Sequence, residues 1–476
     1  MLGLVASAIL IMSGHAASAT PTKPPAVKVV LKRKGGEWIV DYSFRKSAPV
    51  WFFQHSKDSI DRVHWRLASW KVETPGVKLV RLGQFDALYR TDNRSLRDVR
   101  FRIVPFSRPL RSDYAPALTF SDSGLAFYSH HFVVSPLNST AAVEALPSDP
   151  DWENIEDAPA TLTMKDLGHR MLLRGRISRN TVTLSLAEAD TYIYSGPAPL
   201  LSTEHFAEVM DPSLPTWIRS QLDLFLPRLM AFYTNKLGAP SGTRPTALIA
   251  WEGAERPGVS LGGSVMDGLV VMALSGKQMI ATNSEVLTSL RWFFAHETSH
   301  FWVGQTVHYS RSEEGWIMEG SADLIGIRAM QQIVPGYDPA PKLQQEMNDC
   351  IKLNGAGKPL STAESRGDYK AQYACGALLL LVAEAASKQK DTSSDAFSFI
   401  RQLIDANRSD GEVTEAEWLA MFSQAAGPVV SREVQAFIDD GVPDPLAFWA
   451  RIFTATGIRY TRKETTLSLV RPKEGA

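Results

Sequence analysis

The sequence predicts a multidomain protein: an N-terminal all-β domain over residues 20–200, an α+β domain over 201–335 and an α-helical domain with short terminal strands over 336–476. Three observations predict it. A chain of 476 residues exceeds what one compact core serves. Up to Tyr194, alternating runs rich in Val, Phe, Tyr and Trp are broken by Gly, Pro, Asn and Asp, as strands and turns are. From Pro215 onward the apolar spacing becomes helical.

The first element is a short apolar run, 2–12, leading to Ala17-Ser18-Ala19, an A-x-A cleavage pattern. Residues 1–19 therefore read as a secretory signal, although no Lys or Arg precedes the apolar run. It is too short to span a bilayer, and no other stretch approaches that length. The expectation is an exported chain, periplasmic or secreted, with no stable membrane span. A Pro-rich linker follows at 20–25, then strands at 27–32, 37–44, 77–82, 99–104 and 125–134. The segments 171–186 and 191–194 supply the last strands of a β-sandwich-like domain, which Pro197 and Pro199 close.

Next comes a helix at 217–237, ended by Gly238 and Pro240. Strands at 246–251 and 265–274 are joined by a Gly-rich loop, 253–263. Thr282 and Glu285 make a capping box for a helix running through Trp302 to Gly304. A helix at 316–333 puts Glu319 and Asp323 on one face. Further helices read at 342–353, 370–387, 394–405, 415–425 and 431–439, with a closing strand pair inside 457–470. There is no internal repeat.

Composition narrows the function classes. With 44% hydrophobic and 21% charged residues the chain is an ordinary globular one. The net charge is −1, but residues 27–113 hold nineteen Lys or Arg against nine Asp or Glu, and the rest is acidic. This reads as two domains of opposite sign packed together, with an anionic partner of the basic domain as the competing reading. Nucleic acid is excluded as a partner for an exported chain without a recognisable binding motif. The sequence carries no signal for an oligomeric state. The two cysteines, Cys350 and Cys375, form a disulfide in an oxidising compartment or remain as two buried thiols.

The chemistry centres on His296-Glu297-Thr298-Ser299-His300. On a helix the two histidines lie four residues apart on one face, so both imidazoles reach one metal ion. A catalytic zinc takes three protein ligands and keeps a fourth position open. Glu319, after eighteen intervening residues, is the candidate third ligand. Asp323, one turn further, is placed to accept the free ring N–H of a ligating imidazole.

These residues resemble the gluzincin metallopeptidases, specifically the aminopeptidase N family, whose pattern is H-E-x-x-H followed after eighteen residues by E. His300-Phe301-Trp302-Val303-Gly304-Gln305-Thr306-Val307 is similar to its H-x-W-x-G-x-x-V, and Trp316-Ile317-Met318-Glu319-Gly320-Ser321-Ala322-Asp323 to its W-L-N-E-G-F-A-E. Tyr373-Ala374-Cys375-Gly376 resembles its Y-x-K-G. Residues 437–457 resemble the related glycyl aminopeptidases. The resemblance implies a thermolysin-like catalytic domain and one Zn2+ held by His296, His300 and Glu319. It implies that Glu297 moves a proton from the attacking water to the leaving amine, and that Tyr373 hydrogen-bonds the oxyanion. A peptide substrate would lie along a sheet edge as an added strand.

The family holds a free amine with the glutamate of G-x-M-E-N, for which this chain offers Met266 and Asp267 after Gly263. The carboxylate is shorter and the glycine is displaced by one, so trimming peptide ends and cutting within peptides both stay open. A hydrolase of a non-peptide substrate and a catalytically silent zinc-containing binding protein stay open as well; an intact Glu297 argues against the second of these. Residues 405–411 resemble a calcium loop, but the glycine is late and the closing glutamate missing, whereas Thr414 and Glu417 make a capping box. His130-His131 reads as structural for want of partners at ligand spacing, and His308 as a loop residue near the site.

Overall fold

The computed structural model describes residues 25–470, apart from 157, 188, 189, 310 and 465. The segment expected to be a secretory signal, 1–19, lies outside them. The N-terminal region is built on two sheets. A nine-stranded sheet is centred on Val27–Lys34, which pairs antiparallel with Glu37–Phe44 and parallel with Ala160–Leu173. A four-stranded sheet runs Val134–Leu137, Val50–Phe53, Phe85–Arg90, Val77–Leu82. Alternation places Val27, Val29 and Leu31 against Trp51, Phe53 and Leu88 of the smaller sheet, so the two sheets share one core.

Two strands of this region differ from expectation. The run 125–134 is not one strand: Leu125–Tyr128 belongs to the large sheet, Val134–Leu137 to the small one, and a 3-10 turn, Ser129–Phe132, crosses between them. A continuous apolar run conceals such a crossover, because both halves are buried. The strand expected from 171 begins at Ala160 and forms a hairpin with Arg176–Ser185. The crossover also gives His131 the partners that sequence spacing did not show, Asp113 and, across it, His55.

The central sheet runs Leu200–Ser202, Ala207–Met210, Thr246–Trp251, Leu269–Ser275, Ser260–Met266. Its strand Leu269–Ser275 is buried on both faces: Val270, Met272 and Leu274 pack on the helices, while Leu269 and Val271 meet Tyr128, Leu172 and Tyr192 of the N-terminal region. That explains the unbroken apolar run. The expected single strand 265–274 is instead a hairpin, and Ser260–Met266 lies where a glycine loop was expected. Asp267-Gly268 makes its two-residue turn, with Gly268 at φ 66°. The strand Ser260–Met266 is one edge of the sheet, and Leu200–Ser202 the other.

Helices fill the rest. Thr216–Leu237 ends at Gly238, φ 81°. The helix Ser284–Ser299, called here the histidine helix, is capped by Asn283, whose side chain accepts from the Glu285 and Val286 amides, and not by Thr282. It stops at Ser299 rather than Trp302, with His300 as its C-cap. Gly315–Ile333, Ala340–Leu353 and Lys370–Lys390 follow, and then Ala396–Asn407, Glu415–Ala426 and Pro428–Asp439. Pro445–Thr456 is a further helix, absent from the sequence expectation, although Asp444 caps it, Pro445 opens it and Gly457 closes it. Strands Tyr460–Lys463 and Thr466–Leu469 pair at the end. Among the described residues no helix is long and apolar enough to cross a membrane.

Candidate active site

The histidine helix projects His296 and His300 towards the helix Gly315–Ile333, which carries Glu319 and Asp323. His296 Nε2 and His300 Nε2 stand 3.3 Å apart. Glu319 Oε2 lies 3.5 Å from the first and 3.4 Å from the second. The other ring nitrogens are occupied: His296 Nδ1 meets Asp323 Oδ1 at 2.8 Å and His300 Nδ1 meets the Val303 carbonyl at 2.9 Å. Both partners are acceptors, so both rings donate through Nδ1 and, when neutral, present lone pairs at Nε2. Glu319 Oε2 is itself buried, with no hydrogen-bond partner among the described residues.

Three acceptors thus converge on one point, an arrangement that a cation satisfies. Two imidazoles and a carboxylate suit zinc, and Asp323 orients the first ring as carboxylates behind ligating histidines do. The polypeptide's own electrostatics ask for positive charge. Burial works against protonating His296, but Asp323, Glu319 and Glu297 outweigh it and push the imidazole up to about 10. Glu319, despite burial, is held well below the usual carboxylate range by the two imidazoles.

Glu297 follows His296 in the helix and is half-buried on the wall of the cleft; burial raises its pKa against the pull of the imidazoles. It lies under the edge strand at Gly263, where any Cβ would overlap its carboxylate. Tyr373 stacks on His296, with ring centroids 5.7 Å apart, and its phenol is beside the Glu319 carboxylate. Burial and the surrounding carboxylates raise its pKa well beyond an ordinary tyrosine's, so the phenol stays protonated as a donor.

Glycines set this geometry. Gly320 and Gly376 meet where the helices Gly315–Ile333 and Lys370–Lys390 cross, and a Cβ on either would overlap the other helix's backbone. Their close approach brings Tyr373, one turn before Gly376, beside Glu319, the residue before Gly320. The disulfide Cys350–Cys375 ties the same helix to Ala340–Leu353.

The cleft holds about 660 Å³ and is bordered by the edge strand, the helices above and two residues of the N-terminal region, Tyr114 and Asp190. Tyr114 Oη donates to the Val265 carbonyl at 3.3 Å, and Asp190 accepts from Tyr128 Oη at 2.6 Å. Tyr309 and Gln305 also face it. Sequence reasoning missed all four; Gln305 lies inside the segment 300–307 that carries the resemblance, and only the fold brings the others here. Gln305 accepts from the Gly268 amide and donates to the Met266 carbonyl, pinning the hairpin.

Asp267 borders the cleft at the turn, 54% exposed, with Arg174 Nη2 3.5 Å away. Met266 also borders the cleft, but it is 4% exposed and packs among Tyr128, Leu172 and Leu248. His308 starts a two-residue strand paired with Glu412–Val413 and does not border the cleft.

No family model and no curated protein matches the sequence. Among solved structures the chain is similar to a mutant M1 zinc metallopeptidase of Deinococcus radiodurans bound to a Tyr-Ser-Ala substrate, at 13% identity over 88% of this chain and 95% of that one, with a TM-score of 0.48. It is similar to native yeast leukotriene A4 hydrolase at 11% identity over 88% and 68% of the two chains, with a TM-score of 0.49.

Proposed function

We propose that this chain is an exported zinc metallopeptidase whose thermolysin-like catalytic domain binds peptide along the edge strand Ser260–Met266. The observation that carries the reading is the convergence of His296 Nε2, His300 Nε2 and Glu319 Oε2 within 3.5 Å, with Glu297 beside them on the wall of the cleft. Those three atoms would hold the ion. A zinc ion there supplies Lewis acidity that polarises the scissile carbonyl and acidifies water. Glu297 takes the proton of the attacking water and returns it to the leaving amine, a carboxylate whose raised pKa suits both halves of that transfer. Tyr373, kept protonated, donates from Oη to the oxyanion that develops in the transition state. Asp323 holds the His296 tautomer. Export is supported by the A-x-A pattern and by the Cys350–Cys375 disulfide, which an oxidising compartment maintains.

Aminopeptidase action is the first reading, from the resemblance of residues 296–323. Cleavage within peptides is the second, favoured by the Arg174 guanidinium near Asp267, which competes for the carboxylate expected to hold a free amine. Aminoacyl-arylamides and end-blocked peptides, assayed with and without a chelator, separate them. Chelator-sensitive turnover of the first supports the aminopeptidase; turnover of blocked peptides alone supports the endopeptidase. Inactivity on both after Zn2+ reloading sinks the peptidase reading.

For Tyr373→Phe the expectation is a kcat about 10²-fold lower, with zinc content and KM near wild type, because the Oη that donates in the transition state is lost while the ring stays stacked on His296. An unchanged kcat would remove Tyr373 from the mechanism.

A further inference from the structure

We propose that the N-terminal domain carries a second divalent-metal site, built from His55, Asp113 and His131, which takes zinc or a cation of similar preference. The potential ligand atoms, one from each residue, all lie within 4.8 Å of one another. Asp113 Oδ2 stands 3.2 Å from His55 Nδ1 and 3.3 Å from His131 Nε2.

These separations differ from the histidine–aspartate hydrogen bonds elsewhere in the molecule. His64–Asp58, His296–Asp323 and His169–Asp166 close to 2.7, 2.8 and 2.9 Å, the range of charge-assisted bonds. Ligands about 2.0–2.1 Å from a tetrahedral zinc stand roughly 3.3–3.4 Å from one another. That is the spacing around Asp113, and it is also the 3.3–3.5 Å spacing of His296, His300 and Glu319. The two Asp113–histidine contacts therefore have the spacing of ligands around an ion and are longer than the molecule's other histidine–aspartate hydrogen bonds.

The trio is held in place from behind. Arg66, wholly buried, donates through Nη2 to the His55 carbonyl at 2.8 Å and the His131 carbonyl at 3.0 Å, so one guanidinium fixes both backbones. Its charge is met by Asp86 at 2.6 Å. Asp113 Oδ1 accepts from the Tyr114 amide at 2.8 Å and also stands 3.3 Å from His55 Nδ1, while Oδ2 faces both histidines.

The tautomer of His131 points the same way. Its Nδ1 is buried with no hydrogen-bond partner among the described residues, and the rings of Trp65 and Tyr128 pack on the imidazole at 4.9 Å. If Nε2 carries the proton towards Asp113, an Nδ1 lone pair is left buried among aromatic rings. If Nε2 binds a cation, the proton moves to Nδ1, where an N–H among π faces is the better tolerated group. Two imidazoles and one carboxylate are a donor set for zinc and its first-row neighbours. A cavity of about 530 Å³, bordered by His55, Asp113 and His130, gives the ion an entry path and an open position. Because Tyr114 follows Asp113 and bonds Val265 of the edge strand, an ion here braces the N-terminal wall of the catalytic cleft.

The test is metal stoichiometry on the full chain, stripped, equilibrated with Zn2+, desalted and measured by mass spectrometry. Two zinc ions per wild-type chain are expected. One is expected in His55→Ala, in the isosteric Asp113→Asn and in His300→Ala, and none in the His55→Ala/His300→Ala double variant. Co2+ added to His300→Ala should give visible d–d absorption that His55→Ala abolishes. His55 is part-exposed, so its truncation spares the core, and a circular dichroism melt checks that each variant is folded. If instead only the catalytic reading fails, wild type binds one zinc that His55→Ala removes and His300→Ala does not. A single wild-type zinc lost with His300 and indifferent to His55 and Asp113 overturns the second site, as do two zinc ions retained in both His55→Ala and Asp113→Asn.

Discussion

Glu297→Gln is expected to retain its zinc and lose about 10³-fold or more of its peptide turnover, since a positioned general base contributes 10²- to 10⁴-fold and here it moves the proton twice. Metal is retained because His296, His300 and Glu319, with Asp323 behind them, are untouched. The amide is nearly isosteric, which matters under Gly263, where the strand leaves no room for a larger group. KM should change little, because the carboxylate acts on the water and not on the bound peptide. A second readout separates lost chemistry from lost structure. Burial raises the Glu297 pKa in the fold. A carboxyl raised in this way destabilises the folded state at pH above its unfolded value, and the cost disappears once the pH falls below that value. Metal-free Glu297→Gln should therefore melt above metal-free wild type at pH 7, and the difference should close below about pH 4. Turnover within tenfold of wild type, zinc being retained, removes Glu297 from the base role.

Much of the site was legible because helical periodicity converts sequence spacing directly into direction. His296 and His300 sit four apart, and Glu319 and Asp323 share a face of the next helix, so the convergence of four groups followed from two helices. What was not legible depends on pairings between distant segments. Tyr114 and Asp190 reach the cleft only because the N-terminal sheets dock on Leu269 and Val271 through Tyr128, Leu172 and Tyr192. His131 lacked a partner in the sequence for the same reason, since Asp113 lies in a loop and His55 beyond another strand. The edge strand Ser260–Met266 was hidden by its glycines. Gly263 weakens a strand signal, yet a side chain there would displace Glu297, so close approach overrides strand propensity. The helix cap moved from Thr282 to Asn283 because the Asn283 side chain reaches two amides at once. The helix Pro445–Thr456 has ordinary start and stop signals, but Phe448, Trp449, Ile452 and Phe453 favour strands by propensity and mask the helical period in so short a run.

Gly376→Val should cost about 3 kcal/mol or more of folding stability, at the upper end of what overpacking costs in cores. The obstacle is backbone: a Cβ at 376 overlaps the Trp316 carbonyl, and Gly320 Cα is its next neighbour. A flexible side chain could rotate away, but two crossing helices have to separate. Separation is resisted next door, where Cys375 is bonded to Cys350, so the strain is retained and not relaxed by sliding. The same displacement carries Tyr373, one turn earlier on the helix, away from His296 and Glu319. Protein that does fold should then show a lower kcat while zinc, held by residues on the other two helices, still binds. Gly355→Ala is the control, since no described residue lies within 4 Å of a Cβ there, and its unfolding midpoint should correspond to a change within about 0.5 kcal/mol. Urea unfolding of the two variants beside wild type is the measurement. A Gly376→Val midpoint equal to that of wild type would mean that the helices do not cross at Gly320 and Gly376, and the placement of Tyr373 beside Glu319 would fall with it.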